Sequence, residues 1–573
     1  MAPLKDRILS SEHKGPQNSN TIPNKKQRSN VREIERVKDY NDVNHCLVNC
    51  NDSLIAKAFL TDLVDYQVFD YYNEASVNEA VSALIWKKKK CIFAFLSENE
   101  NKNLSDCLTI LDQLYNLSFT SQEIARTISS NIDVFVSGNY QHLTSMIDAS
   151  LSDMGSQCYI KVHICDYNKD CAQKLIVDAP LFIPCLKEGC IETQVNLVVF
   201  GNSSFVKSLL VEVIGSCYFP VTPSVTVIGE KAAEEKQRFL QECPGVYKAP
   251  NEIERIVPEF LSCSLFTEDI ESLLEKYDSE NPLSVAMNKG NYFIVDIGSD
   301  AENIYFATSL RRWLLRNDSY MNNLPFIAVK CCDSENAYLV SRLAINNKPS
   351  NNQIYNNFDL FCFGMASELY SFNNLVNSIS EKRALAIHSA YYDNTSPIDT
   401  VLNSYYSFSY NRDSSKASVL SMIYILFSLG FIQTPAELVE FCHNSSQLAE
   451  RYNDWIKQKE NLEWASSLEH GRWVGFMLSR GWMPLSPQQV DVYTQSINTG
   501  DHKHLLAKIH PFICNWDSFT DDSSQTSIYY ELKKRINGLE TPRTSTYRIM
   551  ENYSSIISAK IIIKASTSNT IER

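Results

Sequence analysis

The sequence lacks the short motifs that identify the common hydrolases and nucleotide triphosphatases. It has no Gly-x-Ser-x-Gly nucleophile elbow, no Gly-Lys-Thr phosphate loop and no His-Glu-x-x-His zinc helix. Its ten histidines are scattered along the chain. Glu469 and His470 are neighbours, but successive helical residues do not face each other, so they do not form a catalytic dyad by themselves. We therefore name no catalytic residue, and an enzymatic activity is kept only as an alternative.

A disulfide framework and a structural zinc site are also missing. The chain has 17 cysteines but no Cys-x-x-Cys pair, and no Cys/His spacing typical of a zinc site. Several of the cysteines, such as Cys91, Cys331 and Cys362, lie in apolar runs that have the character of buried strands. This pattern is typical of buried, reduced thiols in a cytosolic protein. We predict no metal site and a cytoplasmic location.

Membrane and nucleic-acid signals are weak. No apolar run is long enough to span a bilayer, and residues 1–30 contain no apolar signal region. The formal net charge is −14, which disfavours general nucleic-acid binding. The run Lys87–Lys90 is the main local exception, and we interpret it as a solvated helix end. The expected protein is soluble, does not insert into membranes and does not bind nucleic acid.

What the chain does contain is enough apolar sequence for several domains. It has 573 residues, 44% of them apolar, and this length suffices for about three or four domains. The predicted organisation, in chain order, is a flexible tail (1–40), a degenerate Rossmann-like domain (42–155), a second Rossmann-like domain (157–360), a helical connector (361–445), a C-terminal module (446–540) and a C-terminal tail (541–573).

The stretch from Val195 to Glu230 has the order strand, tight turn, helix, strand and acid. This order is that of the first half of a Rossmann unit, in which a helix N-terminus faces a phosphate and the acid binds ribose hydroxyls. Ser203 and Val206 stand at the second and third glycine positions, so the fold is indicated more strongly than the ligand. The candidate binding residues are Gly201, Asn202, Ser203, Ser204 and Glu230. No cofactor is certain, and NAD or another adenine nucleotide is the candidate for this site.

The same pattern occurs earlier in the chain. The turn-to-helix pattern of residues 201–208 is matched at residues 50–57, with Cys50 at the glycine position. Buried-type strands follow in both copies, at Cys91–Leu96 and Tyr292–Ile297. Continuous apolar strands are typical of a parallel sheet covered on both faces. We predict an α/β fold with two tandem Rossmann-like parallel-sheet domains, followed by a mostly helical module.

The second copy continues with Asp300-Ala301-Glu302-Asn303-Ile304 after its strand. With the Rossmann opening, this resembles the regulatory Rossmann domains of potassium-transport systems, which gate conductance on binding nucleotides. The resemblance implies a nucleotide-like ligand and a membrane-protein partner, since the chain carries no pore of its own. It makes Asp300 and Asn303 candidate ligand contacts at the carboxyl edge of the sheet. The alternative is that they cap a helix N-terminus.

The connector contains a dense polar group, Arg412-Asp413-Ser414-Ser415-Lys416, just before an apolar helix predicted at Val419–Leu429. Such a group binds an anion at the helix N-terminus or caps the helix start. Arg412, Ser414 and Lys416 are therefore candidate ligand-binding residues, and both alternatives stay open.

The C-terminal module contains Glu-His-x-Arg-Trp at residues 469–473, then Gly-Trp, His-Pro and Trp-Asp. These motifs resemble the ryanodine-receptor repeat domain, which also occurs in bacterial proteins after Rossmann domains. Arginine offers a planar fork to phosphate, and tryptophan stacks on bases, so the set could line a pocket. The alternative is a small tryptophan core with Glu469 and Arg472 paired. The candidate ligand-binding residues are Glu469, Arg472, Trp473, Arg480, Trp482, Lys508, His510 and Trp516.

Three functions follow as hypotheses. The first is a sensor or effector that binds a nucleotide-derived signal, with a homo-oligomer as a candidate state, in bacterial stress or phage defence. The second is an oxidoreductase or another NAD-using enzyme. The third is a scaffold of a transport or signalling complex whose Rossmann folds bind nothing.

Overall fold

The computed structural model describes residues 44–49, 53–61, 63, 66–70, 90–152, 158–264, 281–316, 324–343, 360–376, 379–392, 396–443, 445–496, 507–519, 528–535 and 542–558. The predicted tail at 1–40, the first-copy turn at 50–52 and Lys87–Lys89 lie outside these residues. The chain has an α/β fold with two parallel sheets, as predicted for the class. No helix among the described residues combines the length and the hydropathy that crossing a bilayer requires.

The first sheet has five parallel strands in the described residues, in the spatial order β2-β1-β3-β4-β5. Its strands are β1 (Asn44–Asn49), β2 (Tyr66–Asp70), β3 (Cys91–Phe95), β4 (Ile132–Ser137) and β5 (Lys161–Cys165). The helices between them are α1 (Leu54–Thr61), α2 (Glu100–Ser118), α3 (Gln122–Asn131) and α4 (Tyr140–Ser152). This strand order belongs to one of the two common doubly wound folds.

The second sheet has six parallel strands, in the order β11-β10-β9-β6-β7-β8. They are β6 (Asn196–Phe200), β7 (Ser224–Gly229), β8 (Glu259–Ser262), β9 (Tyr292–Val295), β10 (Phe326–Lys330) and β11 (Leu360–Phe363). Before and between them lie α5 (Tyr167–Asp178), α6 (Ile183–Glu188), α7 (Ser204–Ser216), α8 (Ala232–Glu242), α9 (Pro244–Lys248), α10 (Pro282–Lys289), α11 (Asp300–Arg316) and α12 (Ser334–Leu343). Numbered from β6, the order is 3-2-1-4-5-6, which is that of dinucleotide-binding sheets.

The remaining chain is mainly helical. Its helices are α13 (Ala366–Leu369), α14 (Phe372–Val376), α15 (Ile379–Ala390), α16 (Ile398–Ser407), α17 (Ser409–Ser428), α18 (Pro435–His443), α19 (Ser446–Trp455), α20 (Lys459–Ser479), α21 (Val490–Ser496), α22 (Ile528–Arg535) and α23 (Pro542–Ile557). A short parallel pair, β12 (Met483–Pro484) and β13 (Ile509–His510), joins two segments of the module. Part of the predicted C-terminal tail is thus the helix α23, whose Met550 and Tyr553 are buried.

The first sheet extends past the boundary predicted near residue 155. Its last strand, β5, pairs with β4 from Asp133↔Lys161 to Ser137↔Cys165. In sequence β5 reads Lys-Val-His-Ile-Cys, and because it is the edge strand only Val162 and Cys165 are buried. It therefore lacks the continuous apolar run by which the central strands β3 and β10 are found.

Helix α20 lies against α7, the helix that opens the second sheet. Two glycines allow the close approach. A Cβ on Gly475 would lie 2.3 Å from Ile214 O, and one on Gly471 would lie 2.7 Å from the ring of Tyr218. The helix that carries the C-terminal motif thus packs directly on the α/β half of the chain.

Candidate functional site

The crevice at the carboxyl ends of β6 and β9 is where the strand order reverses, which is the usual ligand position in such sheets. Gly201 follows β6 with φ +138°, and a Cβ there would lie 2.1 Å from Asp296 O. The residue after β6 must therefore be glycine, both for its conformation and for its contact with the end of β9. The sequence identified this glycine for another reason, the approach of a phosphate.

A carboxylate of the protein itself fills this crevice. Asp296 is 4% exposed, and Ser203 Oγ donates a hydrogen bond to it. Lys330 Nζ lies 3.4 Å from the carboxylate. Ser203 also caps α7, because its Oγ accepts from Phe205 N at 3.2 Å. Since Asp296 places negative charge at the helix N-terminus, the residues present do not fit a pyrophosphate there.

The other predicted residues of this turn lie nearer the surface. Asn202 Oδ1 accepts from Lys231 N at 3.2 Å and lies against Gly229. Glu230 is exposed at the end of β7 and accepts from Ser264 Oγ at 2.7 Å. Ser204 is exposed as the first residue of α7. The structure therefore groups Asn202 and Glu230 at one edge of the crevice.

Asp300 and Asn303 tie loops of the second sheet together. Asn303 is 1% exposed; its Oδ1 accepts from Ile297 N at 2.7 Å, and its Nδ2 donates to Lys330 O at 3.0 Å. The carboxylate of Asp300 accepts from Cys332 N at 2.9 Å and Asp333 N at 3.0 Å. Both lie inside α11. Asp300 binds the segment before α12, and Asn303 joins the loop before α11 to the end of β10, so neither side chain caps α11.

Asn103 holds the equivalent place in the first sheet. Its Nδ2 donates to Ser137 O at 2.9 Å and to Ser97 O at 2.7 Å, and its Oδ1 accepts from Ser97 N at 3.1 Å. The side chain of Asn49, at the end of β1, donates to the same Asn103 at 3.1 Å. The two sheets thus share one asparagine bridge between neighbouring strand ends, and in both copies it is buried.

In the C-terminal module, Glu469 and Arg472 form a buried ion pair. They are 2% and 1% exposed. Arg472 Nη2 donates to Glu469 Oε1 at 2.7 Å and Nε donates to Oε2 at 3.1 Å, while Nη1 lies 3.5 Å from Gly215 O on α7. Burial alone would lower the pKa of Arg472, but the adjacent carboxylate raises it.

The predicted aromatic residues of the module form its interior. Trp482 and Trp516 are 6% and 8% exposed. Trp473 is half-buried and packs on two groups of buried residues, one that includes Trp516 and one that includes the apolar residues of α7 and α20. Trp516 Nε1 donates to Glu463 Oε1 at 2.7 Å. His510 is buried, and its Nδ1 accepts from Phe512 N at 3.1 Å. These indoles pack on rings of the protein, as the alternative of a tryptophan core predicted.

The predicted cations of the module bind protein groups. Arg480 Nη2 donates to Glu212 Oε1 at 3.0 Å across the α7–α20 contact. The side chain of Glu212 is buried. Lys508 is exposed, has φ +48°, and donates from Nζ to Arg480 O at 2.9 Å. Arg480 therefore joins the module to the second sheet.

His470 gives the module a pH-dependent contribution to stability. It is 3% exposed and its Nε2 lies 2.8 Å from Cys514 O; burial lowers its pKa to about 4. The unfolded chain takes up this proton near pH 6.5 and the folded protein does not, so stability falls as the pH drops from about 6.5 to 4.

We expect His470→Gln, which keeps a donor near Nε2 but does not titrate, to flatten this slope by about 1.4 kcal/mol per pH unit within the window. Urea denaturation between pH 7 and pH 4.5 measures it. The control is His142→Gln at an exposed position of α4. Equal changes of slope in the two variants would contradict the prediction.

A charged pocket, partly open to solvent, lies between the edge strand β5 and the connector helices. It is lined by Tyr140, Val162, His163, Ile164, Lys169, Asp170, Gln173, Glu381, Arg412, Asp413 and Lys416. Two of the three predicted connector residues, Arg412 and Lys416, line it. Ser414 is buried near Tyr391 instead.

The prediction that this polar group precedes its helix is wrong. Helix α17 begins at Ser409, so Arg412 and Lys416 lie in its first two turns. The start is satisfied from outside by Asp148, whose carboxylate accepts from Ser409 N at 3.1 Å. The helix begins earlier than predicted because the polar residues 409–416 bind other parts of the protein. They face the charged pocket and the helices α4 and α16.

Ion pairs and tyrosine hydroxyls order the pocket. Lys169 pairs with Asp413 at 3.0 Å and Lys416 pairs with Glu381 at 2.8 Å. Burial would raise the pKa of Glu381, but Lys416 above all holds it at about 2. Burial raises the pKa of Asp170 to about 7, although Tyr370 OH donates to it at 2.7 Å.

Sequence reasoning missed Lys169, Asp170 and Glu381, because they lie far from residues 412–416 in the chain. The available signal was the mixed-charge run itself, whose Asp413 pairs with Lys169. Comparisons with family models, with curated proteins and with solved structures found no match for this chain.

Proposed function

We propose that the protein is a sensor, which binds a nucleotide-derived small molecule in its α/β half and transmits binding to the C-terminal module. The proposal includes the domain arrangement expected from the sequence, two tandem Rossmann-like units followed by a module of the ryanodine-receptor repeat type. The two parallel sheets and the 3-2-1-4-5-6 order of the second support the first part.

One observation carries the proposal: successive side-chain hydrogen bonds link the charged pocket to the C-terminal module through α7. Gln173, which lines the pocket, donates from Nε2 to Glu212 Oε2 at 3.2 Å. The other oxygen of Glu212 accepts from Arg480, the residue that follows α20. Because packed interfaces have discrete arrangements, a ligand that shifts Gln173 changes the contact between α7 and α20.

The other hypotheses are less well supported. An oxidoreductase needs a nicotinamide cofactor in the crevice of the second sheet, where Asp296 lies at the N-terminus of α7. A scaffold agrees with that filled crevice, but it gives no role to the charged pocket. We therefore propose no reaction for this chain.

The proposal also includes the cellular location, the pathway and the partners of the protein. A cytoplasmic location accords with the many buried thiols, such as Cys107 and Cys171, which stay reduced there. The domain combination favours a bacterial stress or antiviral-defence pathway, with a membrane protein as a candidate partner and a homo-oligomer as a candidate state. No nucleic acid is expected to bind.

Thermal unfolding of the full chain with NAD, ADP-ribose and cyclic nucleotides tests the proposal. We expect at least one ligand to raise the Tm, since a ligand present at 100 times its Kd stabilises the folded state by about 2.7 kcal/mol. No shift across the panel, together with a protein partner that copurifies, would favour the scaffold. Turnover of NAD in the same samples would favour the enzyme.

A further inference from the structure

The charged pocket contains one buried cation, Arg412, that forms no direct ion pair among the described residues, although the carboxyl group of Asp148 is near enough to interact with it. Arg412 is 5% exposed and lines the pocket. Its Nη1 donates to Tyr406 O at 3.0 Å, which is the hydrogen bond that the described residues give it. A guanidinium has five N–H donors, so most of its capacity remains for a group in the pocket. A buried arginine in this state fits an oxyanion that its planar fork can bind with two hydrogen bonds.

Cations and carboxyl groups of the pocket lie side by side. Three cations, Lys169, Arg412 and Lys416, line it. Of the three carboxyl groups beside them, Asp413 and Glu381 are each paired with a lysine. The third, Asp170, accepts from Tyr370 OH, and burial raises its pKa to about 7. A fourth carboxyl group, that of Asp148 beside the pocket, interacts with Arg412, so what the pocket offers an anion is unused hydrogen-bond donors and not an excess of positive charge.

Two lysines of the pocket, Lys169 and Lys416, can also donate hydrogen bonds to an anion bound by Arg412. Lys169 Nζ lies 3.1 Å from the ring centroid of Tyr140, and Lys416 is half-buried on α17. Each ammonium has three donors and uses one on its carboxylate partner. An anion between Arg412 and these lysines receives hydrogen bonds without breaking either pair.

We propose that this pocket binds the phosphate group of the ligand, with Arg412 as the anchor and Lys169 and Lys416 beside it. The proposal rests on the sensor function and names the site and the ligand group through which it acts. It places binding at the edge of the first sheet, away from the reversal point of either sheet. The hydrogen bonds from Gln173 through Glu212 to Arg480 would then begin at the ligand-binding pocket.

Calorimetric titration of the full chain tests this site, with inorganic phosphate and 5′-AMP as probes. The variants are Arg412→Lys, which keeps the charge but loses the fork, and Lys169→Gln. The matched control is Lys174→Gln on the same helix α5, where Lys174 pairs with Asp178 at 2.6 Å and does not line the pocket. We expect the affinity for both probes to fall about tenfold in each pocket variant and to stay unchanged in the control.

The outcomes separate the two proposals. If phosphate and 5′-AMP bind and the pocket variants match Lys174→Gln, the pocket assignment is overturned while the sensor function stands. If phosphate binds in the expected pattern but no nucleotide does, the assignment stands and the nucleotide sensor falls. If neither probe binds the folded wild-type chain, the pocket assignment is overturned, and the sensor function falls with it if NAD, ADP-ribose and cyclic nucleotides also leave the Tm unchanged. Since Arg412→Lys retains its charge, it keeps the test decisive even if Lys169→Gln fails to fold.

Discussion

Arg472→Met is expected to lower the free energy of unfolding by about 3–5 kcal/mol, because it removes one partner of a fully buried ion pair. The remaining Glu469 carboxylate, 2% exposed, would lose the guanidinium that donates to both of its oxygens. Methionine roughly keeps the volume beside Phe476, so the loss is mainly electrostatic. Urea denaturation of wild type and variant at pH 7 measures the difference.

The double variant Glu469→Leu/Arg472→Met is the control for this prediction. Replacing both members of a buried pair by apolar residues of similar volume is often neutral or stabilising. We therefore expect the double variant to recover most of the stability that the single variant loses. A single variant within about 1 kcal/mol of wild type, or a double variant as unstable as the single one, would contradict the buried pair as the cause.

The ion pair also explains why the module and the second sheet are joined so closely. Arg472 Nη1 reaches Gly215 O, and the neighbouring Gly475 lets α20 approach Ile214. Glu212 on α7 then pairs with Arg480 at the end of α20. Polar contacts at both ends of a glycine-mediated contact fix the register of the two helices. A change in register would therefore disturb both polar contacts together.

The central parts of both sheets could be predicted from the sequence. Strands β3 and β9 lie within the apolar runs predicted from residues 91 and 292, because a strand buried on both faces is continuously apolar. The edge strands β5 and β8 were missed, since their outer faces are polar and break the pattern. The fold class was thus predictable, but the extent of each sheet was not.

The candidate site was only partly predictable. The spacing of Glu469 and Arg472 indicates that they meet on one helix face. Their burial, however, depends on α7, whose Gly215 contacts Arg472 although the two residues are 257 positions apart in the sequence. The charged pocket combines residues of α4, β5, α5, α15 and α17. Nothing local to any one of these elements indicates the others, so the sequence identified only the run at residues 412–416.

The same limit applies to the crevice of the second sheet, where Asp296 follows β9 and Lys330 ends the neighbouring β10. The glycine turn suggested a pyrophosphate site, but a carboxylate that follows one strand and a lysine that ends the next already neutralise each other there. Charged residues at the carboxyl ends of adjacent parallel strands lie at one edge of the sheet. That placement was readable from the sequence, once the two strands were known to be neighbours.

Asp296→Ala is therefore expected to destabilise the protein and at the same time to open its crevice to an anion. Removing the carboxylate leaves Lys330, 8% exposed, without its partner, and this costs about 3–5 kcal/mol. The N-terminus of α7 and the Lys330 ammonium then face one another across the vacated space. Inorganic pyrophosphate should bind there and raise the Tm of the variant more than that of wild type.

Asp133→Ala is the matched control, because Asp133 is also a strand carboxylate paired with a lysine, Lys161, but lies in the first sheet. We expect it to lose stability and to gain nothing from pyrophosphate beyond the wild-type response. If pyrophosphate stabilises both variants equally, the effect is not specific to the crevice. If it stabilises neither, Asp296 is not what keeps an anion from the N-terminus of α7. A selective gain in Asp296→Ala would mean that one buried carboxylate separates this sheet from a phosphate-binding one.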